Sequence, residues 1–454
     1  MRALILCLSA ALCGCVSTPD LAFVNPAPAP QPAAASTFAP PLEGDVLALA
    51  FSGGGARAAA FAYGATQGLK EMRAADGAPL LDHVRLVTGV SGGSILAAYL
   101  AQNGPEGIDG FRAAYLDKDW ARDLNMNLFS PLNWLRASNG GLNGSQAAAD
   151  WLDREVFDHG RLDDLNHHGI RAVINATDIF NGTPFAFTPF YFETICADLS
   201  SVRIADAVAA SMAFPLVFQP VLLEPHPGQC PQPGWVDRVL ADRQAPLQAR
   251  RTAQAVKSYH SPNTLTYLHL VDGGVVDNLG LSTLELEAAI NDPLEDPAPE
   301  NLVRLNSMTF LVVNAEQIRQ QDWQKTREGP DGVDVAAALS NILIESPNRT
   351  NFDSFRLQLQ DREKRIAELR CALPDAQVIA VRGTLDGWKC DAVRLRADVV
   401  SFADLGEPLA SELGQIETQV SLPREDIDKL VAAGRQAIMA NETARALAKA
   451  ALGS

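Results

Sequence analysis

Two stretches of the sequence follow the same plan, in which an apolar run ends in glycines and continues as an apolar, helix-like segment. Residues 45–51 precede three consecutive glycines, and residues 84–88 precede a glycine-rich turn over residues 89–93. Short, mostly apolar runs of this kind are typical of parallel strands that are buried on both faces. Strands that alternate with helices predict an α/β fold of three layers, with a mainly parallel central sheet and helices on both faces.

The rest of the chain extends this pattern. A stretch over 221–262 is rich in Pro, Gln and Arg, has little periodicity, and is expected to be an insertion at the rim of the site. We expect residues 45–315 to form the main domain, and residues 316–454 to be a mainly helical part packed on that same domain. Further strands are predicted at 171–177, 184–190, 265–271 and 308–313, and helices at 56–72, 94–102, 205–213, 352–369 and from Pro423 onward.

The N-terminus has the features of an export signal. Arg2 precedes an apolar run over residues 3–13, which is too short to span about 30 Å of hydrocarbon as a helix and fits a signal-peptide core. The sequence from Leu12 to Cys15 resembles the bacterial lipobox. This resemblance implies a signal peptide over residues 1–14 and a lipidated Cys15. Since Val16 rather than Asp follows, we expect a lipid-anchored protein of the bacterial cell envelope, sorted to the outer membrane.

The segment after Cys15 has a composition that does not build a core. Residues 16–44 contain seven prolines and seven alanines, so residues 15–44 are expected to form an extended tether. The net charge of −17 argues against nucleic acid as a partner, because phosphates would be repelled. The same charge would not hold the chain on an anionic membrane, whereas acyl chains on Cys15 would.

Four cysteines lie beyond the N-terminal region, namely Cys196, Cys230, Cys371 and Cys390. An even number in an exported chain indicates disulfides, for which three pairings are possible. We favour the two locally closed pairs, Cys196 with Cys230 and Cys371 with Cys390. No pair has the CxxC spacing of zinc ligands, so no metal site is predicted.

Residues 89–93 match the GxSxG pattern, with Ser91 between Gly89 and Gly93. Its position between a predicted strand and a predicted helix indicates a nucleophile elbow, a strained turn that exposes the serine hydroxyl. Small flanking residues are needed because larger side chains would clash in that turn. The alternative interpretation is an ordinary glycine-rich turn.

A nucleophilic serine needs a base, and the histidines suit this role poorly. None of the seven follows His269, so a Ser-His-Asp triad in the α/β-hydrolase order could use only a histidine from His159 to His269, of which we consider His260 and His269. Only His83 precedes Ser91, as the other known triad orders would require. Asp272 is another candidate, since it ends a predicted strand and is followed by Gly273 and Gly274. A partly buried carboxylate there could take the serine proton directly. Asp-Gly is, however, more often a simple turn.

A third glycine-rich turn runs from Ser52 to Arg57 at a predicted strand-to-helix junction. It lacks the GK[ST] ending of a phosphate-binding loop. Successive glycine N–H groups can instead form an anion-binding nest, which here would be an oxyanion hole for the intermediate of serine attack.

Together and in this order, the three turns resemble those of the patatin-like phospholipase family. The segments 210–218 and 175–187 are similar to further parts of that family, and the resemblance covers about residues 45–315. It implies a Ser-Asp dyad that hydrolyses acyl esters of lipids without a metal or other cofactor. Ser91 would be the nucleophile, Asp272 the general base, and the N–H groups of Gly53, Gly54 and Gly55 the oxyanion donors. Arg57 would either fix the loop or support the oxyanion.

The resemblance leaves one local departure and two competing functions. Ala58 follows Arg57 where the family usually has glycine, and we expect the loop to tolerate it. The competing functions are a triad esterase that uses His260 or His269, and a non-catalytic lipid-binding envelope lipoprotein. The expected partners are a lipid or phospholipid substrate and, through the lipidated N-terminus, a membrane. The sequence does not predict the oligomeric state or the lipid that is cut.

Overall fold

The fold is described from a computed structural model of the chain. It describes residues 21–29, 43–123, 144–215, 217–261, 263–290, 298–317, 327, 329–330 and 332–449. The predicted signal peptide and the predicted lipidation site, Cys15, lie outside these residues.

The described part of the chain contains a sheet of nine strands. The strands are β1 (Phe23–Val24), β2 (Gly44–Phe51), β3 (Val84–Val90), β4 (Arg171–Asp178), β5 (Thr183–Ala186), β6 (Val221–Leu223), β7 (Leu268–Asp272), β8 (Leu305–Asn314) and β9 (Arg394–Ser401). Their order across the sheet is β1-β6-β7-β4-β3-β2-β8-β9, and β5 pairs with β4. On this path only β7 is antiparallel to its neighbours, while β5 forms an antiparallel hairpin with β4.

Helices connect the strands. The described ones are α1 (Gly55–Glu71), α2 (Gly92–Gly107), α3 (Trp120–Asp123), α4 (Ser145–Glu155), α5 (Pro189–Thr194), α6 (Ile204–Ser211), α7 (Trp235–Ala241), α8 (Leu247–Tyr259), α9 (Ser282–Ile290), α10 (Pro299–Arg304), α11 (Gly332–Ala372), α12 (Asp375–Arg382), α13 (Leu409–Gly414), α14 (Arg424–Ala440) and α15 (Glu442–Lys449). The predicted α/β class with a mainly parallel sheet is confirmed. Among the described helices, none is both long and apolar enough to cross a bilayer.

Two sequence-based predictions about elements are wrong. The strand expected over 184–190 stops at Ala186, because Pro189 fits the first turn of α5 and cannot extend a ladder. The stretch 221–262, expected to be an insertion of little regularity, instead contains β6, α7 and α8. One face of α8 is buried in the core, and β6 extends the central sheet.

The predicted tether over residues 15–44 is also wrong in part. Residues 21–29 dock on the domain, where β1 pairs in parallel with β6. The carbonyls of Ala22 and Val24 accept hydrogen bonds from Leu222 and Glu224, at 2.8 and 3.1 Å. The proline-rich composition of this segment predicted no strand. β1 forms nevertheless, because pairing at a sheet edge uses backbone groups and does not require a periodic pattern of side chains.

The C-terminal part belongs to the same sheet, as β9 extends it in parallel next to β8. Helix α14 packs on α1 with small residues at the contact. Added Cβ atoms at Gly64 and Gly434 would clash with backbone of the facing helix. Ile427, Leu430 and Ile438 of α14 are buried, as expected from their helical spacing. The strand β9 was not predicted.

The four cysteines pair as the spacing favoured. Cys196 bonds to Cys230 with Cα atoms 5.4 Å apart, and Cys371 bonds to Cys390 with Cα atoms 4.9 Å apart. The first bridge joins the segment after α5 to the loop before α7. The second joins the end of α11 to the loop before β9.

Candidate active site

Ser91 lies in a sharp turn between β3 and α2. Its backbone has φ 50° and ψ −124°, a strained conformation for a residue with a side chain. Added Cβ atoms at Gly89 and Gly93 would clash with backbone atoms, so these positions need glycine. The Ser91 side chain is partly exposed, whereas the residues on either side of it are buried. This geometry is that of a nucleophile elbow.

The register of the sheet brings Asp272 to the level of Ser91. Val90, the last residue of β3, is opposite Asn175 of β4, and the next residue, Ala176, is opposite Asp272 of β7. The two candidate residues therefore flank β4 at the same height. The Ser91 hydroxyl lies close enough to the Asp272 carboxyl group to lower the pKa of that group through hydrogen bonding.

The environment of Asp272 suits a base. The side chain is 4% exposed, and this burial raises the pKa of the carboxyl group to about 6. The N–H of Gly274 donates to Oδ1 at 2.8 Å, and this bond and the one from Ser91 partly offset the effect of burial. A carboxyl group with this pKa is ionised at neutral pH and is a stronger base than an exposed aspartate.

The end of α6 connects the two halves of the site. The backbone N–H of Ser91 donates to Oγ of Ser211 at 2.9 Å, and the backbone N–H of Asp272 donates to the carbonyl of Ala213 at 3.0 Å. Ser211 is fully buried. The sequence resemblance covered residues 210–218 but did not predict this positioning role.

The glycine-rich loop lies against the elbow. Gly54 and Gly55 have φ of 135° and 58°, and an added Cβ at Gly53 would lie 3.4 Å from that of Ser91. Both N–H groups, of Gly54 and of Gly55, lack an acceptor among the described residues. The N–H of Gly53 instead donates to the carbonyl of Asn278 at 3.0 Å, which removes Gly53 from the predicted oxyanion donors.

Arg57 anchors this loop to two distant segments of the chain. Its side chain is 1% exposed, and the guanidinium donates to the carbonyls of Ala315 at 3.1 Å and Ile416 at 2.8 Å. The N–H of Ala56 donates to the carbonyl of Gln419 at 2.8 Å. Of the two roles expected for Arg57, these contacts support fixing the loop. The C-terminal part thus contacts the site through residues 416–419.

Comparisons with known proteins agree with this geometry. The family model described as Patatin-like phospholipase matches residues 49–284, just over half of the chain. The chain belongs to the patatin-like phospholipase family. No curated protein sequence gives a significant match.

Solved structures similar to this patatin-like chain are distant from it. The human GIVD cytosolic phospholipase A2 aligns with a TM-score of 0.42 at 13% identity, over 88% of this chain and 60% of its own length. VipD from Legionella pneumophila aligns with a TM-score of 0.30 at 13% identity, over 88% of this chain and 67% of its own length. The chain thus spans less than two thirds of the length of the human phospholipase chain that it matches.

The buried side-chain amides of Asn175 and Asn278 connect the turns of the patatin-like site. Asn175 donates from Nδ2 to Thr88 Oγ1 and to the carbonyl of Gly89, at 2.8 and 2.9 Å, and accepts from Thr283 on Oδ1 at 2.5 Å. Asn278 places Oδ1 against both Gly53 and Gly274, between the loop and the Asp-Gly-Gly turn. The sequence predicted no role for either asparagine, although Asn175 begins the segment 175–187 that resembles the family.

The histidines considered for a triad lie elsewhere. His260 Nε2 is 3.1 Å from the carbonyl oxygen of Thr194, and His269 is an exposed residue of β7 whose side chain alternates with that of Asp272. Among the described residues, neither histidine hydrogen-bonds to Ser91 or Asp272. His260 also lies within 4.8 Å of both sulfurs of the Cys196–Cys230 pair, but those sulfurs are bonded to each other.

Proposed function

We propose that this chain hydrolyses fatty-acyl esters of phospholipids or other lipids, with Ser91 as nucleophile and Asp272 as general base. The observation that carries the proposal is the placement of Ser91, in a strained turn at the end of β3, at the same level of the sheet as the buried carboxyl group of Asp272. Family membership supports the lipid acyl hydrolase class, and the geometry supports the roles of the individual residues.

The proposed reaction has two halves. Asp272 takes the proton of the Ser91 hydroxyl while Oγ attacks the ester carbonyl. The resulting oxyanion accepts hydrogen bonds from the N–H groups of Gly54 and Gly55. Asp272 then gives its proton to the departing alcohol, which leaves an acyl-serine. A water molecule attacks that ester, again with Asp272 as base, and releases the fatty acid and free Ser91.

Two helix N-termini favour the negative charge that develops in both halves. Gly54 is the N-cap of α1 and Ser91 is the N-cap of α2. The positive ends of both helix dipoles are therefore directed at the site, where they stabilise an anion. Arg57 acts through the loop, by holding it to Ala315 and Ile416, rather than as a donor to the oxyanion.

Product analysis tests the reaction. Mass spectrometry after incubation with phospholipids and neutral esters should find free fatty acid with the wild type and none above background with Ser91→Ala. The positions of the released chains would define the acyl specificity. If Asp272→Asn kept the activity while His260→Ala or His269→Ala lost it, the protein would be a triad esterase. If Ser91 failed to react with a fluorophosphonate, a non-catalytic lipid-binding protein would be favoured.

We further infer that Cys15 carries lipid and holds the enzyme on the outer membrane of a bacterial cell. The lipobox-like sequence from Leu12 to Cys15 supports this proposal. Mass spectrometry of the mature N-terminus should find an acylated Cys15, and cell fractionation should find the protein with the outer membrane. Recovery in the inner membrane would contradict the sorting proposal, and an unmodified N-terminus would contradict the anchor.

A further inference from the structure

The segment that docks at the sheet edge has one buried and one exposed face, and the exposed face is apolar. Ala22 and Val24 are 1% and 6% exposed, whereas Leu21 and Phe23 are 42% and 47% exposed. Edge strands of soluble proteins usually present charged or polar groups to water. This strand therefore adds apolar surface to an edge that charged residues would ordinarily cover.

Further residues of this face lie on the neighbouring strands, where Leu222 is half-buried and His269 is polar and exposed. Phe23 is opposite Leu222 of β6, and Leu222 is opposite His269 of β7. The N–H of Ile179, just after β4, donates to the carbonyl of His269 at 3.1 Å. Residues directly opposite one another point to the same face of a sheet, so these side chains form a row.

Two further observations define the surface. Tyr267 lies in the bend just before β7, two residues before His269, and its ring packs edge-on against that of Phe23 with the ring centroids 5.7 Å apart. Ile179 and Tyr267 are 51% and 40% exposed. We name the set Leu21, Phe23, Ile179, Leu222 and Tyr267 the edge face. Contiguous exposed apolar surface of this kind marks a site of interaction with a protein or a membrane.

The edge face lies at the same end of the sheet as the catalytic residues. Asp272 follows His269 by three residues on β7, a distance of about 10 Å along a strand. Ile179 continues β4 beyond Ala176, which is opposite Asp272. The side chains of the edge face alternate with that of Asp272, so they are on the other face of β7. A planar surface on the edge face would thus lie near the catalytic end without covering the dyad.

Chain length places the proposed acyl anchor close to this surface. Five residues lie between Cys15 and Leu21, and the six residue steps from one to the other span about 20 Å when the chain is fully extended. Acyl chains on Cys15, which rest on the function proposed above, therefore enter a bilayer within about 20 Å of the edge face. A bilayer that holds Cys15 is kept within reach of Leu21 and Phe23.

We propose that the edge face docks on the surface of a lipid bilayer. Apolar side chains next to a covalent lipid supply the two signals that stable membrane attachment needs. The net charge of −17 gives no general attraction to anionic lipid, so this contact is apolar and insensitive to salt. Docking fixes the orientation of the enzyme and holds the catalytic end of the sheet next to its substrate.

Vesicle binding without the acyl anchor tests the edge face alone. The protein is the mature chain from residue 15 with Cys15→Ala, because the apolar residues 3–13 would themselves bind lipid and all described residues lie after residue 20. Co-sedimentation with phosphatidylcholine vesicles should be weakened at least about tenfold by Phe23→Glu with Ile179→Glu. Leu357→Glu with Ile379→Glu is the matched control, because these side chains are 58% and 43% exposed on helices distant from β1.

A second variant and a second substrate show whether misfolding could explain a loss of vesicle binding. The pair Phe23→Ser and Ile179→Thr removes apolar surface without adding charge, and it should also weaken vesicle binding. Both edge-face variants should hydrolyse a soluble short-chain ester at the wild-type rate, which reports an intact dyad. Hydrolysis of phospholipid in vesicles should fall in parallel with binding.

Each other outcome contradicts the proposal. If the Cys15→Ala chain does not bind vesicles, or if the edge-face variants bind like the control, the edge face does not dock on a bilayer. If the parent chain is a dimer and the edge-face variants are monomers, the face joins two copies instead. Loss of soluble-ester hydrolysis by Ser91→Ala and the mass of the mature N-terminus test the proposed activity and anchor separately.

Discussion

The turns that carry the proposed catalytic residues and the segments that support those turns are built in different ways. Ser91 and Asp272 each lie in a glycine-rich turn at the end of a strand, and the geometry of each turn is set within a few residues. The supports come from far along the chain, as Ile416 and Gln419 hold the glycine-rich loop. Residues 21–29 likewise complete the sheet next to β6. Local motifs therefore specify the chemistry, and distant segments hold those motifs in register.

The largest expected effect comes from the reacting groups themselves. Ser91→Ala and Asp272→Asn should each lower kcat/KM for a soluble ester at least about 1,000-fold, because the nucleophile and its base act together and removing either one removes the same catalytic step. The double variant should be little worse than either single one. Asp353→Asn, on an exposed part of α11, is the control and should keep full activity. Independent, multiplicative losses would contradict a coupled dyad.

Removing a distant support should have the next largest effect. Arg57→Ala removes this donor from the buried carbonyl of Ala315 and the partly buried carbonyl of Ile416, at a cost of about 2–4 kcal/mol in the free energy of unfolding. It should also lower kcat about 10–100-fold by releasing the loop that holds Gly54 and Gly55. Denaturant unfolding and initial rates measure the two effects. Arg424→Ala, whose side chain is 74% exposed, should change neither quantity. A stable variant with full activity would show that the loop needs no such support.

The charge of Asp272 should weaken the fold at high pH. The folded-state pKa of about 6 lies above the ordinary value of 3.8, so stability falls as pH rises from about 4 to 6. Above pH 6 the cost is about 3 kcal/mol. Asp272→Asn should therefore be more stable than the wild type at pH 8 by up to that amount, and no more stable at pH 4. Denaturant unfolding at both pH values measures this, and an equal difference at the two would contradict it.

The smallest expected effect is at Ser211, which supports the elbow through one hydrogen bond. Ser211→Ala leaves the N–H of Ser91 without this acceptor and should cost about 1–2 kcal/mol in stability. A fall in kcat of less than about tenfold should accompany it, with KM unchanged, because only the position of the nucleophile changes. Steady-state kinetics check this prediction, and a larger effect on KM than on kcat would contradict it.

The contrast between local turns and distant supports also explains which features the sequence could predict. The roles proposed for Ser91, Asp272, Gly54 and Gly55 came from local patterns, and the structure brings these residues together at the site. The exclusion of Gly53 depends on its bond to Asn278, 225 residues away, and no local pattern encodes that bond. Strand β1 was concealed because edge pairing uses backbone groups and tolerates a proline-rich sequence.

The pH dependence of kcat/KM for a soluble ester between pH 4 and 8 tests the dyad most directly. Asp272 is active as a base only when ionised, so the rate should be constant above a midpoint of about 6 and should fall tenfold for each pH unit below it. His260→Ala and His269→Ala should leave this profile unchanged. Two results would contradict the account. One is that the residual activity of Asp272→Asn keeps the same midpoint, and the other is that either histidine variant abolishes the midpoint.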